Sequence, residues 1–312
     1  MTTDVGGSNK TFEVVYPYTK EVVAQIQEAN IEDVEDAVTA SSTAFPAWRD
    51  LGTDKRGAYL RKLSQLILES NNELTKLETL CTTDFTPLHV AKLIEKVGFP
   101  PGVVNIISGF GNPTGAALAS HMAVRSAKSN MKDVHMELGG KSPVIIFEVA
   151  DLETAVAQTQ FGIQFNSRQI DLLRYNRIKE YLAIGEKDGM LRLGDDASNG
   201  FFVRPTIFEG VGEDSRLMRE ELFGPVVAIN TIFTETEAIE KANNSALGLY
   251  AAVFIKDLDR AVRLAKALDA GTVGVNCTSP TNARDTAFGG FKMSGTVREG
   301  FCIVLTISLR VS

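Results

Sequence analysis

From residue 226 onward, short apolar runs take turns with helix-forming stretches: residues 226–233, then a helix at 235–243, a run at 251–255, a helix at 258–268 and a run at 272–276. Strands that alternate with helices in this way predict an α/β protein, because each strand can hand its apolar surface to the helix that follows it. The same order occurs earlier. A helix at 88–97 leads through Gly98-Phe99-Pro100-Pro101-Gly102 into the apolar strand Val103-Val104-Asn105-Ile106-Ile107, and a strand at 144–147 precedes a helix at 152–161. Gly271 is placed to end the helix at 258–268.

The chain opens differently. Phe12-Glu13-Val14-Val15 and Val22-Val23-Ala24-Gln25-Ile26 flank the turn-forming Pro17-Tyr18-Thr19-Lys20, which reads as a hairpin. Two amphipathic helices follow. The first, from about residue 32, carries Val34, Ala37, Val38 and Phe45. The second has Thr53 as its expected N-cap and a stripe of Leu60, Leu63, Ile67, Leu74 and Leu77.

At 312 residues, 44% hydrophobic and 23% charged, the chain is long enough to bury a sizeable core and to form about two domains. A net charge of −7, a pI near 5.2 and scattered Lys and Arg argue against a nucleic-acid partner. No apolar run reaches the roughly 18 to 20 residues of a membrane helix. The polar start Met1-Thr2-Thr3-Asp4 lacks signal-peptide character, so the expectation is a cytoplasmic protein without a membrane partner. Cys81, Cys277 and Cys302 are odd in number and far apart, without metal-ligand or disulfide spacing, which suits a reducing compartment and leaves them as candidate nucleophiles. His89, His121 and His135 are isolated and read as surface or helix-end residues rather than metal ligands.

Four motifs carry candidate chemistry. Met136-Glu137-Leu138-Gly139-Gly140-Lys141-Ser142-Pro143 sets a carboxylate beside two glycines, where backbone can approach a ligand and a Glu in a partly dry site can act as a general base. Glu220-Glu221-Leu222-Phe223-Gly224-Pro225-Val226 joins an acidic pair and an aromatic to a tight turn. Asn276 ends a strand, where sites in α/β proteins gather. Phe288-Gly289-Gly290-Phe291-Lys292-Met293-Ser294-Gly295 is a glycine-rich turn. Each alone has a structural reading: a solvated turn, a capped helix end, a strand terminus, a loop.

In their order and spacing these motifs resemble the aldehyde dehydrogenase superfamily. The resemblance extends to Ala44-Phe45-Pro46-Ala47-Trp48, to Gly98-Phe99-Pro100-Pro101-Gly102-Val103-Val104-Asn105 and to a tail like the family's closing strand, Thr306-Ile307-Ser308-Leu309. It implies NAD(P)-dependent oxidation of an aldehyde to a carboxylic acid: a cysteine thiolate adds to the aldehyde, hydride passes to the nicotinamide, and a Glu activates the water that hydrolyses the thioester. Carried over by position, Glu137 matches that Glu. Glu221 matches the carboxylate that holds a cofactor ribose, and Phe223 the aromatic beside the nicotinamide ribose. Gly109-Phe110-Gly111-Asn112-Pro113-Thr114-Gly115 matches a loop near the adenine, so Gly111 and Pro113, with Gly139, join the expected cofactor contacts. Asn276 and Cys277 match the substrate pocket. The implied architecture is a truncated Rossmann-type NAD(P)-binding domain at 1–138, a shortened α/β catalytic domain at 139–297 and an oligomerisation strand at 298–312.

The sequence also departs from the family in blocks. The family's nucleophile lies in a Gly-Gln-x-Cys stretch; here Phe161-Gly162-Ile163-Gln164-Phe165-Asn166-Ser167-Arg168-Gln169 follows the pattern up to the Gln, and Asp171 stands where the cysteine belongs. Leu172-Leu173-Arg174-Tyr175-Asn176-Arg177-Ile178 then resembles a segment much further along. Between residues 80 and 86 the chain omits the family's Pro-Trp-Asn-Phe segment and a ribose-binding Lys; between 122 and 126 it omits a strand and a Gly-Ser-Thr helix start. The expectation is an internally truncated aldehyde dehydrogenase with impaired NAD or NADP binding and doubtful activity on a small-molecule aldehyde. The alternative is a non-catalytic pseudoenzyme or incomplete gene product that at most binds cofactor, forms a homo-oligomer or pairs with an intact homologue.

Overall fold

The computed structural model describes residues 10–16, 18–80, 85–121, 137–164, 172–194, 201–278, 286–295 and 298. They fall into two compact units, Met1–Asp133 and Val134–Ser312.

In the first unit, β1 (Thr11–Val15) and β2 (Val22–Gln27) form the expected antiparallel hairpin, with Val14 and Ile26 buried. Then come α1 (Ile31–Asp50), α2 (Thr53–Glu69), α3 (Asn71–Leu80), α4 (Phe85–Val97), a single wide turn at Gly111–Gly115 and α5 (Ala116–Ser120). A capping box starts α1. The Asn30 side chain accepts from the Glu32 and Asp33 amides at 2.7 and 3.0 Å, and the Asp33 carboxylate accepts from the Asn30 amide at 2.7 Å. Thr53 is not the cap of α2: it is already helical, and Gly52, at φ +83°, makes the turn that a side-chained residue would resist. Where α1, α2 and the residue after Gly98 meet, the rings of Trp48, Tyr59 and Phe99 stand 5.1–5.6 Å apart.

The strand expected at 103–107 does not form. A strand exists only by pairing, and no described segment pairs with this one. Asn105 instead binds the Ser41 hydroxyl and the Gly102 carbonyl, while Val104 and Ile106 stay exposed.

The second unit runs β3 (Val144–Ile146), α6 (Leu152–Gln164), α7 (Leu172–Asp188), β4 (Met190–Leu193), β5 (Thr206–Glu209), α8 (Arg216–Arg219), β6 (Val226–Ile229), α9 (Glu235–Asn243), β7 (Leu247–Gly248), β8 (Tyr250–Phe254), α10 (Leu258–Ala267), β9 (Thr272–Val275) and β10 (Phe291–Lys292). One sheet has the order β3-β8-β9, all parallel. Its central strand is buried on both faces. Ala251 and Val253, with Ile255 just beyond the strand, pack against α9 and α10; Tyr250, Ala252 and Phe254 pack against Ala155 of α6. That is the pattern of a parallel sheet covered by helices on each side. A second sheet, β4-β5-β6, holds Phe208 against Ile178, Tyr181 and Leu182 of α7. β7 and β10 pair as a short antiparallel ladder.

Gly271 does not end α10, which stops at Ala267. Its lack of a side chain serves a close approach: a Cβ there would run into the Gly289 carbonyl.

Candidate functional site

Leu138 to Lys141 form a strip whose consecutive residues are held by two different segments of the second unit. Glu137 forms an isolated antiparallel bridge with Gly295, and the Leu138 amide donates to the Ser294 carbonyl at 3.0 Å. The Ser294 hydroxyl donates to the Gly139 carbonyl at 2.6 Å and accepts from the Gly248 amide at 2.9 Å. Ser294 is wholly buried, so its hydroxyl has exchanged water for these two partners. The next two residues are held from the other side. The Gly140 amide donates to Glu221 Oε1 at 2.9 Å, and Lys141 Nζ donates to the Leu217 carbonyl at 2.7 Å. Burial lowers the pKa of Lys141, opposed by the nearby charges of Glu221 and Glu220.

Three of the four motifs therefore meet. The glycine of Glu137-Leu138-Gly139 is required by this meeting: a Cβ on Gly139 would stand 3.0 Å from Glu221 Cδ and closer still to its Oε2. Glu137 itself is exposed, not partly dry as the motif suggested.

The turn that carries Glu221 and Phe223 is braced by its neighbours. Tyr181 donates its hydroxyl to the Glu220 carboxylate, and Arg216 Nε binds Glu220 Oε1 at 2.8 Å. The guanidinium of Arg216 first, and the Tyr181 hydroxyl second, hold the Glu220 carboxyl down to about 2. Arg177 Nη2 reaches the Glu221 carbonyl at 3.4 Å, and the Arg174 guanidinium lies 4.7 Å from the centre of the Phe223 ring. The two side chains expected to meet a cofactor ribose are thus engaged within the chain itself: Glu221 by a backbone amide, Phe223 by a cation.

Asn276 and Cys277 lie elsewhere on the second unit. Asn276, at φ +56°, spends its side-chain amide on the backbone of Ile255, accepting from its N–H at 2.9 Å and donating to its carbonyl at 3.0 Å. That pairing extends the β8–β9 ladder by one step. Cys277 is half-buried; the Tyr250 hydroxyl donates to its carbonyl at 3.1 Å and lies 3.9 Å from its sulfur. Burial and this neighbour push the Tyr250 phenol up. Gly111 and Pro113 belong to the first unit, in the turn fastened by the Thr114 hydroxyl to the Ala29 carbonyl, with open space over Gly111.

Asp171, Cys81, Cys302, His135 and the tail at 306–309 lie outside the described residues. His89 sits within α4, 3.6 Å from Glu73, with its side chain largely covered, so it is neither a surface nor a helix-end residue; His121 is the C-cap of α5, a helix-end position, 2.9 Å from Glu35. Among the described residues no group of three His, Cys, Asp or Glu gathers to hold a metal ion, and no helix is long and apolar enough to cross a membrane.

Sequence reasoning missed Ser294, Lys141, Arg174 and Tyr181. The first two stand inside the motifs, so their position is a signal; for Arg174 and Tyr181 only the helix register of α7 points to the turn they brace.

A family model described as the aldehyde dehydrogenase family matches residues 5–84, 81–171 and 169–306. The breaks fall at two of the three expected junctions; the third, at 122–126, is not marked by one. The mitochondrial aldehyde dehydrogenase of Rattus norvegicus is 31% identical over 445 residues, covering 94% of this chain and 86% of that protein. Since 94% of 312 residues is about 293, about 150 of those 445 aligned positions carry no residue of this chain. Cytosolic aldehyde dehydrogenase 1 of Macroscelides proboscideus is 30% identical over 465 residues, with 98% and 93% covered. An NAD+ complex of an aldehyde dehydrogenase from Bacillus cereus superposes with a TM-score of 0.85 at 27% identity, covering 93% of this chain and 90% of that one.

Proposed function

The chain belongs to the aldehyde dehydrogenase family, and on that premise we propose that it is an aldehyde oxidoreductase by descent that keeps the base side of the family's site and has lost its nucleophile side. The observation that carries this reading is the Leu138–Lys141 strip, held by Ser294 and Glu221 with Glu137 at its start, in a chain whose Gly-Gln motif runs on to Asp171 instead of a cysteine. An exposed carboxylate at Glu137 can take a proton from water. It has no thioester to direct that water against, because Asp171 cannot form one and Cys277 is seated beneath Tyr250. Loss of the oxyanion-stabilising segment near residue 80 removes a further factor commonly of about 10²–10³ in rate.

A nicotinamide cofactor would supply the hydride acceptor. The residues as placed fit one poorly: one oxygen of Glu221 is tied to the Gly140 amide and Arg174 lies over the Phe223 ring, which stays 38% exposed, so a ribose would have to displace contacts already made. We therefore assign weakened binding of NAD or NADP. The substrate class remains a small-molecule aldehyde. The cofactor domain at 1–138, the catalytic domain at 139–297 and pairing through 298–312, with a second copy or an intact homologue, stand as part of the same proposal.

The test is NADH or NADPH absorbance during incubation with acetaldehyde or propionaldehyde and either dinucleotide, beside Glu137→Ala. The expected rate of the natural chain equals that of Glu137→Ala. A rate a hundredfold above that variant overturns the proposal and makes the chain a working dehydrogenase.

A further inference from the structure

We propose that Arg174 acts as a built-in competitor for the cofactor ribose, closing the Glu221–Phe223 turn by stacking on Phe223. The inference rests on the reading that Glu221 and Phe223 form the ribose subsite, and it concerns this chain's own residues. The Arg174 guanidinium lies 4.7 Å from the Phe223 ring centre, inside the distance of about 6 Å at which a cation is held by a ring face. A sugar and a guanidinium cannot occupy the same face of one ring. Arg177, three residues on and on the same side of α7, reaches the Glu221 carbonyl at 3.4 Å, so α7 lays two cations along this turn.

The carboxylate is engaged as well. Glu221 Oε1 accepts from the Gly140 amide, and the rest of the group lies over the Gly139 α-carbon. The brace behind it is firm: Tyr181 is fully buried and its hydroxyl holds Glu220, which Arg216 also binds.

The experiment is calorimetric titration of NAD+ into the full chain, Arg174→Ala, Arg174→Lys, Glu221→Gln and the double variant Arg174→Ala with Glu221→Gln. Arg174→Ala is expected to bind NAD+ about two- to fivefold more tightly, the scale of one cation–ring contact, and Arg174→Lys to bind as the natural chain does. The double variant should lose the gain. If Arg174→Ala binds no better than the natural chain, or if neither binds at millimolar NAD+, Arg174 is not a competitor and the inference falls. Weaker binding by Arg174→Ala also overturns it, since that residue would then be a contact for the cofactor. The underlying reading fails separately: a gain that survives Glu221→Gln would show that the ribose does not use this carboxylate. A loss on Glu221→Gln alone, with no gain on Arg174→Ala, keeps the subsite and discards the competitor.

Discussion

The two units differ in how much of each helix they bury. In the second, α7 places Ile178, Tyr181 and Leu182 against Phe208, and Tyr181 and Phe208 have no exposed surface at all. In the first, the 17-residue helix α2 buries no residue fully, and Leu60 and Leu68 stand 58% and 67% exposed. The stripe read at Leu60–Leu77 is divided between α2 and α3, which break at Ser70, and among the described residues neighbouring segments cover it less than they cover the apolar residues of α7. Two of the three junctions read from the sequence fall in the first unit, and its described residues contain only the β1-β2 sheet. Periodicity states what a helix can bury, and the neighbouring segments decide what it does bury.

The largest expected effect contrasts these helices directly. Phe208→Ala opens a cavity beneath α7, where Phe208 also packs on Gly185, and should cost about 3–5 kcal/mol. Leu60→Ala should cost no more than about 0.5 kcal/mol, as at an ordinary surface position. Urea unfolding read by far-UV circular dichroism gives the sum. Fluorescence of Trp48, the single tryptophan of the chain, follows the first unit. Equal losses for the two variants would break the comparison. A shift of the Trp48 transition on Phe208→Ala would sharpen it, by showing that the poorly buried unit draws stability from the other.

The same contrast explains what was legible beforehand. The helix at 235–243 is found as read, and the runs at 251–255 and 272–276 are each within a residue of β8 and β9, because these elements are buried where their patterns say. The run at 103–107 had an equally good pattern and no described partner, so it forms no ladder. Local chemistry misled in smaller ways. Thr53 has a capping side chain, yet Gly52 supplies the turn; Gly271 follows a helix, yet its role is to let the Gly289 carbonyl in. At the site, three of the motif segments meet through the hydrogen bonds among Leu138–Lys141, Glu221 and Ser294, but the motifs do not reveal what their side chains bind. Asn276 reads as a pocket amide and is spent on Ile255, while Ser294 reads as loop and joins Gly139 from 155 positions away. No local pattern encodes a bond of that span.

Ser294 therefore offers the second, intermediate test. Ser294→Ala leaves the buried Gly248 amide without its acceptor and the Gly139 carbonyl without its donor, at a cost of about 1–3 kcal/mol. Hydrogen exchange should quicken at Gly248 and Leu138 and stay unchanged at Ala252 of β8. If exchange at all three quickens together, the strip is not a separately fastened feature but part of one cooperative core, and the distinction between site strip and sheet disappears.

The smallest effect lies on the surface of the better-packed unit. Glu220 is held down to about 2 by Arg216 and Tyr181, from an ordinary 4.5. A carboxyl whose folded pKa lies below its unfolded value adds stability that is complete above the unfolded pKa and disappears as pH falls through the folded one. The window is therefore from about 4.5 down to about 2. Glu220 and Arg216 are 41% and 49% exposed, so water and salt screen the pair and its loss should be smaller than either change above. Arg216→Ala should flatten the acid limb of the circular-dichroism midpoint in that window, between about pH 4.5 and 2, and raising the salt to 1 M should do the same to the natural chain. The Trp48 midpoint should not respond. In the first unit the Asp50 carboxyl is lowered too, chiefly by its hydrogen bond to Arg49, but these two are chain neighbours and largely exposed, so that pair fastens no second element. An Arg216→Ala variant that moves the Trp48 signal in this pH window would mean that the second unit's charge network, rather than its buried core, sets the stability of the first.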